Sequence, residues 1–164
     1  KSLGCKVIGT VGSEEKISIA KKNGCDLVIN YSKENFAEKV GDFTKGKGVP
    51  VVYDGVGAKT FEDSIACLKN TGTFVSFGNA SGPVKNVDVK KHIAPKSLFF
   101  TRPTLGHYFP NKELLREAAE ILFKQIKYGK VKIKIFKKYK LEEVVQAHKD
   151  LEARKITGPA IIIP

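Results

Sequence analysis

Short apolar runs rich in β-branched residues alternate with segments of helical spacing from residue 5 to residue 102. Strands are predicted at residues 5–10, 27–30, 49–53, 73–77 and 97–102. Helices are predicted between them at residues 13–23, 33–44, 58–68 and 88–94. Strands joined by helical crossovers pair in parallel, and the few charges in these strands indicate a sheet covered on both faces. The alternation therefore predicts an α/β fold with a Rossmann-like, doubly wound parallel sheet.

The pattern changes after residue 110. A long helix is predicted at residues 111–128, a basic strand at 132–139 and a helix at 141–153, before a bare apolar strand within 159–164. We find no obvious partner for this last strand in the sequence, and we expect it to join a second domain. The sequence is accordingly divided into a dinucleotide-binding domain, residues 1–130, and a C-terminal segment, residues 131–164, that returns to a missing catalytic domain.

Positive charge is the strongest compositional bias, with a net charge of +12. Nucleic acid, an anionic membrane surface and an anionic cofactor all fit such a charge. The lysines are scattered, and in the densest stretch they alternate with Val131, Ile133 and Ile135, as in a half-buried strand. The chain has no Trp, and its aromatic residues do not interleave with the basic stretch as a base-stacking surface requires. A solvated strand face is favoured, and nucleic-acid binding is the alternative function of another class.

The chain has three cysteines, Cys5, Cys25 and Cys67, and no two of them have C-x-x-C spacing. This pattern argues against a disulfide framework and a zinc site, and it favours free thiols in a reducing compartment such as the cytoplasm. The histidines are isolated from one another, so no metal site is predicted. No run of about 18 apolar residues is present, so no transmembrane helix is expected either.

The loops at the carboxyl ends of the strands are where a doubly wound sheet binds its ligand. The first loop, residues 9–13, is small and neutral and lacks the carboxylate that usually holds the ribose hydroxyls of NAD. Ser13 is predicted to cap the helix that follows, with Lys16 in its first turn. A helix N-terminus with a lysine favours a phosphate group. The loop therefore indicates NADP rather than NAD.

The later strand ends add weaker signals. Tyr31 ends the second strand, where its ring is placed to lie on the adenosine and its hydroxyl on the 2′-phosphate; a partly buried core tyrosine fits equally well. The glycines of residues 54–57 and 77–82 let backbone approach a ligand closely. The fingerprint G-x-G-x-x-G is absent, and residues 1–4 resemble the end of a helix. We expect the first strand and the glycine-rich phosphate loop to precede residue 1.

A family resemblance rests on a series of short motifs in a specific order. These are G-T-V-G-S-E-E-K, V-I-N-Y, V-V-Y-D-G-V-G, V-S-F-G-N-A-S-G, T-R-P-T-L and the closing A-R-K-I-T-G-P-A-I-I-I-P. Together they resemble the quinone oxidoreductases, the zeta-crystallin-like and zinc-free branch of the medium-chain dehydrogenase/reductase superfamily. The resemblance extends over nearly the whole chain and lacks the family's catalytic domain and glycine-rich loop.

The resemblance implies NADPH as cofactor and assigns residues to its parts. Those implied to hold the adenosine 2′-phosphate are Gly12, Ser13, Lys16 and Tyr31. Those implied to lie along the ribose and nicotinamide are Val56, Phe77, Gly78, Asn79 and Ser81, with Phe100, Thr101 and Arg102 at the nicotinamide end and Arg154 closing from the C-terminal segment.

The same resemblance implies an enzyme that reduces a quinone with NADPH and forms a homodimer through an edge strand at residues 97–101. An exposed edge carrying Leu98, Phe99 and Phe100 is consistent with that pairing. The catalytic residues are not identified, and the chain by itself is expected to be inactive. The alternative within the superfamily is an NADPH-dependent enoyl or alkenal reductase with the same cofactor domain.

Overall fold

The computed structural model describes residues 1–153 and 155–164. Arg154, which was implied to close on the cofactor, lies outside the described residues. The chain divides into two compact units, one formed by Lys6–Leu114 and the other by Lys1–Cys5 with Leu115–Pro164. The functional boundary predicted near residue 130 stays a prediction.

The first unit alternates strands with helices. In chain order its elements are β1 Ile8–Val11, α1 Glu15–Lys22, β2 Leu27–Asn30, α2 Phe36–Phe43, β3 Val49–Asp54, α3 Phe61–Ala66, β4 Leu68–Ser76, β5 Phe99–Thr101 and α4 Leu105–Tyr108. A π-helical turn, Val89–Ile93, and a 3₁₀ turn, Ala94–Lys96, precede β5. The predicted order of elements is confirmed.

All strands of this unit pair in parallel. β1 pairs with β2, placing Ile8 opposite Leu27, and β3, β4 and β5 form a second sheet in that order. Among the described residues β1 and β3 share no ladder, so the strand sequence β2-β1 and β3-β4-β5 is that of a doubly wound sheet interrupted between β1 and β3. The parallel α/β architecture predicted from the sequence is therefore confirmed.

Two apolar clusters hold the unit together. One surrounds Phe74, which is fully buried and meets the ring of Phe61 edge-on at a centroid distance of 5.4 Å. The other centres on Ile29 of β2 and includes residues from β1, α2 and β3. Because the second cluster contains Ile8 and Val49 together, it joins the two sheets across the interruption.

Several predicted boundaries shift for local reasons. Ser97 adopts a left-handed conformation (φ 50°), so β5 begins only at Phe99. Leu98 is buried in the core, and the exposed edge predicted to carry it presents Phe99 instead. Phe43, at the end of α2, is 42% exposed. Gly24 has φ 95° and follows the end of α1, where a left-handed residue stops the helix.

The second unit contains most of α5 (Lys112–Lys127), a 3₁₀ turn at Leu141–Glu143, and two strands joined by a helix: β6 Lys137–Lys140, α6 Val144–Glu152 and β7 Ala160–Ile163. β7 pairs in parallel with β6, so the interpretation that the last strand has no partner in the chain is wrong. The partner was missed because β6 is mostly lysine and carries a single buried side chain, Tyr139. The Tyr139 hydroxyl donates to the carboxylate of Asp150 on α6 at 2.9 Å, which fixes the crossover against the strand.

Candidate functional site

The carboxyl ends of β1 and β2 are tied to each other by backbone and side-chain hydrogen bonds. The Tyr31 N–H donates to the Val11 carbonyl at 3.1 Å, and the Ser32 hydroxyl donates to the Gly12 carbonyl at 2.9 Å. A Cβ placed on Gly12 would lie 2.9 Å from the Tyr31 hydroxyl oxygen, so the phenol lies directly against this turn. The structure thus brings together Gly12 and Tyr31, two of the residues implied to hold a 2′-phosphate.

Two carboxylates lie close to this turn, which the sequence analysis had treated as free of acid. Glu14 pairs with the Lys33 ammonium at 3.0 Å, and this hydrogen bond lowers the pKa of the Glu14 carboxyl. Glu15 accepts the hydroxyl of Ser13 at 3.1 Å. The predicted Ser13 cap is therefore wrong, because α1 begins at Glu15 with no side-chain cap and the hydroxyl is donated to the carboxylate instead. Lys16 is half-buried in the first turn of α1, as predicted.

A buried carboxylate organises the turn that follows β3. One oxygen of Asp54 accepts the N–H groups of Val56 and Gly57, both at 2.8 Å. The other accepts the hydroxyls of Thr60 at 2.7 Å and Ser64 at 2.8 Å. Four donors therefore converge on one side chain and fix the chain's path from β3 into α3.

The loops after β3 and β4 interlock. The Val56 carbonyl accepts both the N–H of Ser81, at 2.7 Å, and its hydroxyl, at 2.8 Å. Gly57 has φ 90°, and any Cβ there would collide with the Gly82 carbonyl. The Phe77 and Gly78 N–H groups both donate to the Asp54 carbonyl, at 3.0 and 3.3 Å. Val56 and the loop of residues 77–81 therefore form one body, in which Asn79 accepts the Gly82 N–H through its carbonyl and faces solvent.

The end of β5 completes this edge of the three-stranded sheet. The Arg102 guanidinium donates to the Ser76 carbonyl at 3.0 Å. The Phe100 ring stacks on Phe74 with centroids 5.2 Å apart and is 38% exposed. Thr101 pairs with Val75 of β4 and is half-buried. These three residues lie together at the strand end, and Phe100 also packs in the core; their place at the nicotinamide end stays a prediction.

The residues of this edge offer binding rather than acid–base chemistry. Its backbone amides are fixed by hydrogen bonds within the protein, and hydroxyl groups such as that of Tyr31 can position an anion there. Across residues 1–153 and 155–164, no group of three His, Cys, Asp or Glu side chains comes together as metal ligands. Within the same ranges, no helix has both the length and the apolarity to cross a bilayer.

Asp54 is the residue of this edge whose role the sequence analysis missed. The D-G-V-G stretch had been noted for its glycines, whereas the acid holds their backbone in place. A signal was available, since Thr60 and Ser64 are four residues apart and share a helix face. Two hydroxyls on one face can both donate to a carboxylate that ends the preceding strand, because an ionised carboxyl accepts at both oxygens.

The chain resembles known proteins over its whole length. Residues 1–124 match the family model described as zinc-binding dehydrogenase. A quinone oxidoreductase of Pseudomonas aeruginosa is 44% identical over all of this chain and 50% of its own length. A 2-haloacrylate reductase of Burkholderia sp. is 40% identical, again over all of this chain and 50% of its own length. The structure of Escherichia coli quinone oxidoreductase complexed with NADPH superimposes with a TM-score of 0.94 at 42% identity, covering 99% of this chain and 51% of that one. The chain thus spans about half the length of the curated relatives it matches.

Proposed function

The chain belongs to the zinc-binding dehydrogenase family, and we propose that it forms the cofactor-binding part of an NADPH-dependent quinone oxidoreductase. The observation that carries the proposal is the joined end of β1 and β2, where a neutral turn lies against the Tyr31 hydroxyl and Lys16 follows in the first turn of α1. The resemblance of the whole chain to a protein whose structure was solved with NADPH supports it. The nicotinamide, when bound, supplies the hydride, and this chain's residues bind and orient the cofactor.

The 2′-phosphate is proposed to lie at the turn of residues 12–13, where the Tyr31 hydroxyl donates to it and Lys16 supplies charge. A phosphate fits because Gly12 brings no carboxylate to the position that holds the ribose hydroxyls of NAD in related folds. The Lys33 ammonium pairs with the Glu14 carboxylate at 3.0 Å, which weakens the electrostatic repulsion between Glu14 and the phosphate. Discrimination against NADH then follows from charge rather than from shape.

The nicotinamide half is proposed to lie along the interlocked loops after β3 and β4. Val56, Phe77, Gly78, Asn79 and Ser81 form this surface, and Phe100, Thr101 and Arg102 lie at its far end. The hydroxyl of Ser81 is already engaged, because it donates to Val56 and accepts the Lys59 N–H at 3.0 Å. Ser81 therefore acts by shaping the loop that the cofactor is proposed to meet.

The test is to compare NADPH with NADH binding to the intact protein and to its Lys16→Gln variant. We expect NADPH to bind at least about tenfold more tightly, a difference that one or two charge-assisted contacts supply. Lys16→Gln should reduce this ratio, whereas Lys22→Gln at the far end of α1 should leave it unchanged. Equal affinity of the intact protein for the two cofactors would refute the assignment. Quinone reduction by residues 1–164 alone would contradict the proposal that the chain by itself is inactive.

A second candidate is an NADPH-dependent enoyl or alkenal reductase. The 40% identity with a 2-haloacrylate reductase favours it, since that protein matches this chain over the same extent. The chain spans about half the length of either relative, so a panel of quinones and activated alkenes tested on the intact protein separates the two. Faster turnover of the alkenes would replace the quinone assignment.

We further propose a zinc-free homodimer in a reducing compartment such as the cytoplasm. Burial raises the pKa of the Cys67 thiol to about 11, which disfavours the thiolate that zinc requires. β5 pairs with β4 alone among the described strands, and Phe99 on it is 63% exposed, so its free edge suits pairing with a second copy. Metal analysis of the intact protein tests the first point. Light scattering of Phe99→Lys against the unmodified protein tests the second, and an unchanged dimer would count against this edge.

A further inference from the structure

Lys59 reaches from the loop after β3 to Tyr31, the residue that follows β2. Its ammonium lies 5.9 Å from the centroid of the Tyr31 ring, within the range of a cation–π contact. Its backbone is fixed independently, because the Lys59 N–H donates to the Ser81 hydroxyl at 3.0 Å. The side chain thus joins the end of β1 and β2 to the interlocked loops of the other sheet.

We propose that Lys59 is a specificity-determining residue that supplies positive charge to the 2′-phosphate of NADPH. The proposal rests on the proposed function and adds to it a residue from a different strand end. Tyr31 connects the two, since its hydroxyl lies against Gly12 while its ring lies under the Lys59 ammonium. A phosphate at the turn of residues 12–13 would therefore have the ammonium beside it.

The local charge balance shows why an additional lysine matters. Of the two carboxylates beside the turn, Glu14 is paired with the Lys33 ammonium at 3.0 Å and Glu15 accepts the Ser13 hydroxyl. Lys59 therefore adds a second positive charge to that of Lys16 at this end of the sheet. Attraction between exposed charges extends over about 10 Å at 0.1 M salt, so a group this close to the turn acts on a ligand there.

The way in which Lys59 is held leaves its charge available. A carboxylate partner would neutralise the ammonium, as Glu14 does for Lys33 at 3.0 Å. An aromatic ring attracts the ammonium through its quadrupole and carries no net charge. Tyr31 therefore positions the ammonium and leaves its full charge to an incoming dianion.

The experiment uses the full chain and adenosine 2′,5′-bisphosphate, a probe that carries the 2′-phosphate and needs neither the nicotinamide nor a pyrophosphate loop. NMR titrations compare the unmodified chain with Lys59→Gln, Lys59→Arg and the control Lys47→Gln, whose lysine lies at the opposite end of β3. Adenosine 5′-monophosphate serves as the ligand without a 2′-phosphate. Each titration is repeated at low and high salt.

We expect Lys59→Gln to weaken bisphosphate binding about three- to fivefold at low salt, the effect of an exposed charge pair. Lys59→Arg and Lys47→Gln should bind as the unmodified chain does, the monophosphate should bind all variants equally, and the difference should shrink at high salt. Equal bisphosphate binding by Lys59→Gln, or an equal loss for the monophosphate, would overturn the role of Lys59 alone. If the unmodified chain itself does not prefer the bisphosphate, both this inference and the proposed NADPH preference fail.

Discussion

The two sheets of the first unit end in ways that differ physically. At β1 and β2, the turn is bordered by side chains: the Tyr31 hydroxyl, the Ser32 hydroxyl and the carboxylates of α1. At β3 and β4, backbone meets backbone, with Gly57 against the Gly82 carbonyl and both loops anchored on Asp54. Side chains can rotate away from a new atom, whereas interlocked backbone cannot. The first end is therefore suited to tuning affinity and the second to holding a fixed surface.

The largest effect is expected from Asp54→Ala, which removes the centre of the interlocked end. Four donors, three of them buried, lose their acceptor, and at about 1 kcal/mol for each the free energy of unfolding should fall by about 4 kcal/mol. Urea denaturation measures this loss. Asp42→Ala, an exposed acid within α2, is the matched control and should change stability by less than about 0.5 kcal/mol. Similar losses for both variants would mean that Asp54 does not organise the turn.

Gly57→Ala should have the next largest effect. An alanine at φ 90° is strained, and its Cβ would collide with backbone that cannot move. We expect a loss of about 3 kcal/mol in the free energy of unfolding, the sum of conformational strain and overpacking. Gly41→Ala in α2, where a Cβ meets nothing within 4 Å, should instead stabilise by about 0.5–1 kcal/mol. A tolerated Gly57→Ala would show that the loops can separate.

Gly12→Ala brings the same change to the other end and should have the smallest effect on stability. The new Cβ meets the Tyr31 hydroxyl, the far end of a side chain that can shift. We expect a change below about 1 kcal/mol in the free energy of unfolding, with about two- to fivefold weaker binding of adenosine 2′,5′-bisphosphate as the hydroxyl moves. A loss of stability as large as that of Gly57→Ala would remove the distinction between the two ends.

Much of the fold follows from local sequence, and the exceptions depend on distant residues. β2, Leu27–Asn30, was predicted to the residue because an apolar run follows the helix stop at Gly24. A basic strand was predicted at residues 132–139, but β6 covers only Lys137–Lys140, and its pairing with β7 was missed because its sequence, KKYK, has little apolar signal. Tertiary pairing of this kind overrides local propensity.

The contacts of the candidate site also separate into those that the sequence predicts and those that depend on distant residues. Gly12 and Tyr31 end consecutive strands, so their meeting was foreseeable from the order of elements. The engagement of Ser13 with Glu15 was not, because a hydroxyl at a helix start has two acceptable partners and the sequence does not rank them. The contact of Lys59 with Tyr31 joins strand ends from two separate sheets. No local sequence pattern predicts such a contact.

The anchoring of both loops on Asp54 should also slow the hydrogen exchange of their backbone amides. Loop amides ordinarily exchange their hydrogens with solvent when the loop opens locally, and this opening is fast and independent of the core. Here the N–H groups of Val56, Gly57 and Ser81 are all bonded within one network, so releasing any of them requires breaking most of it. These amides should exchange with the slow cooperative unit of β3 and β4. A ligand arriving at this edge then meets a shape that already exists, and little conformational entropy is lost in forming it.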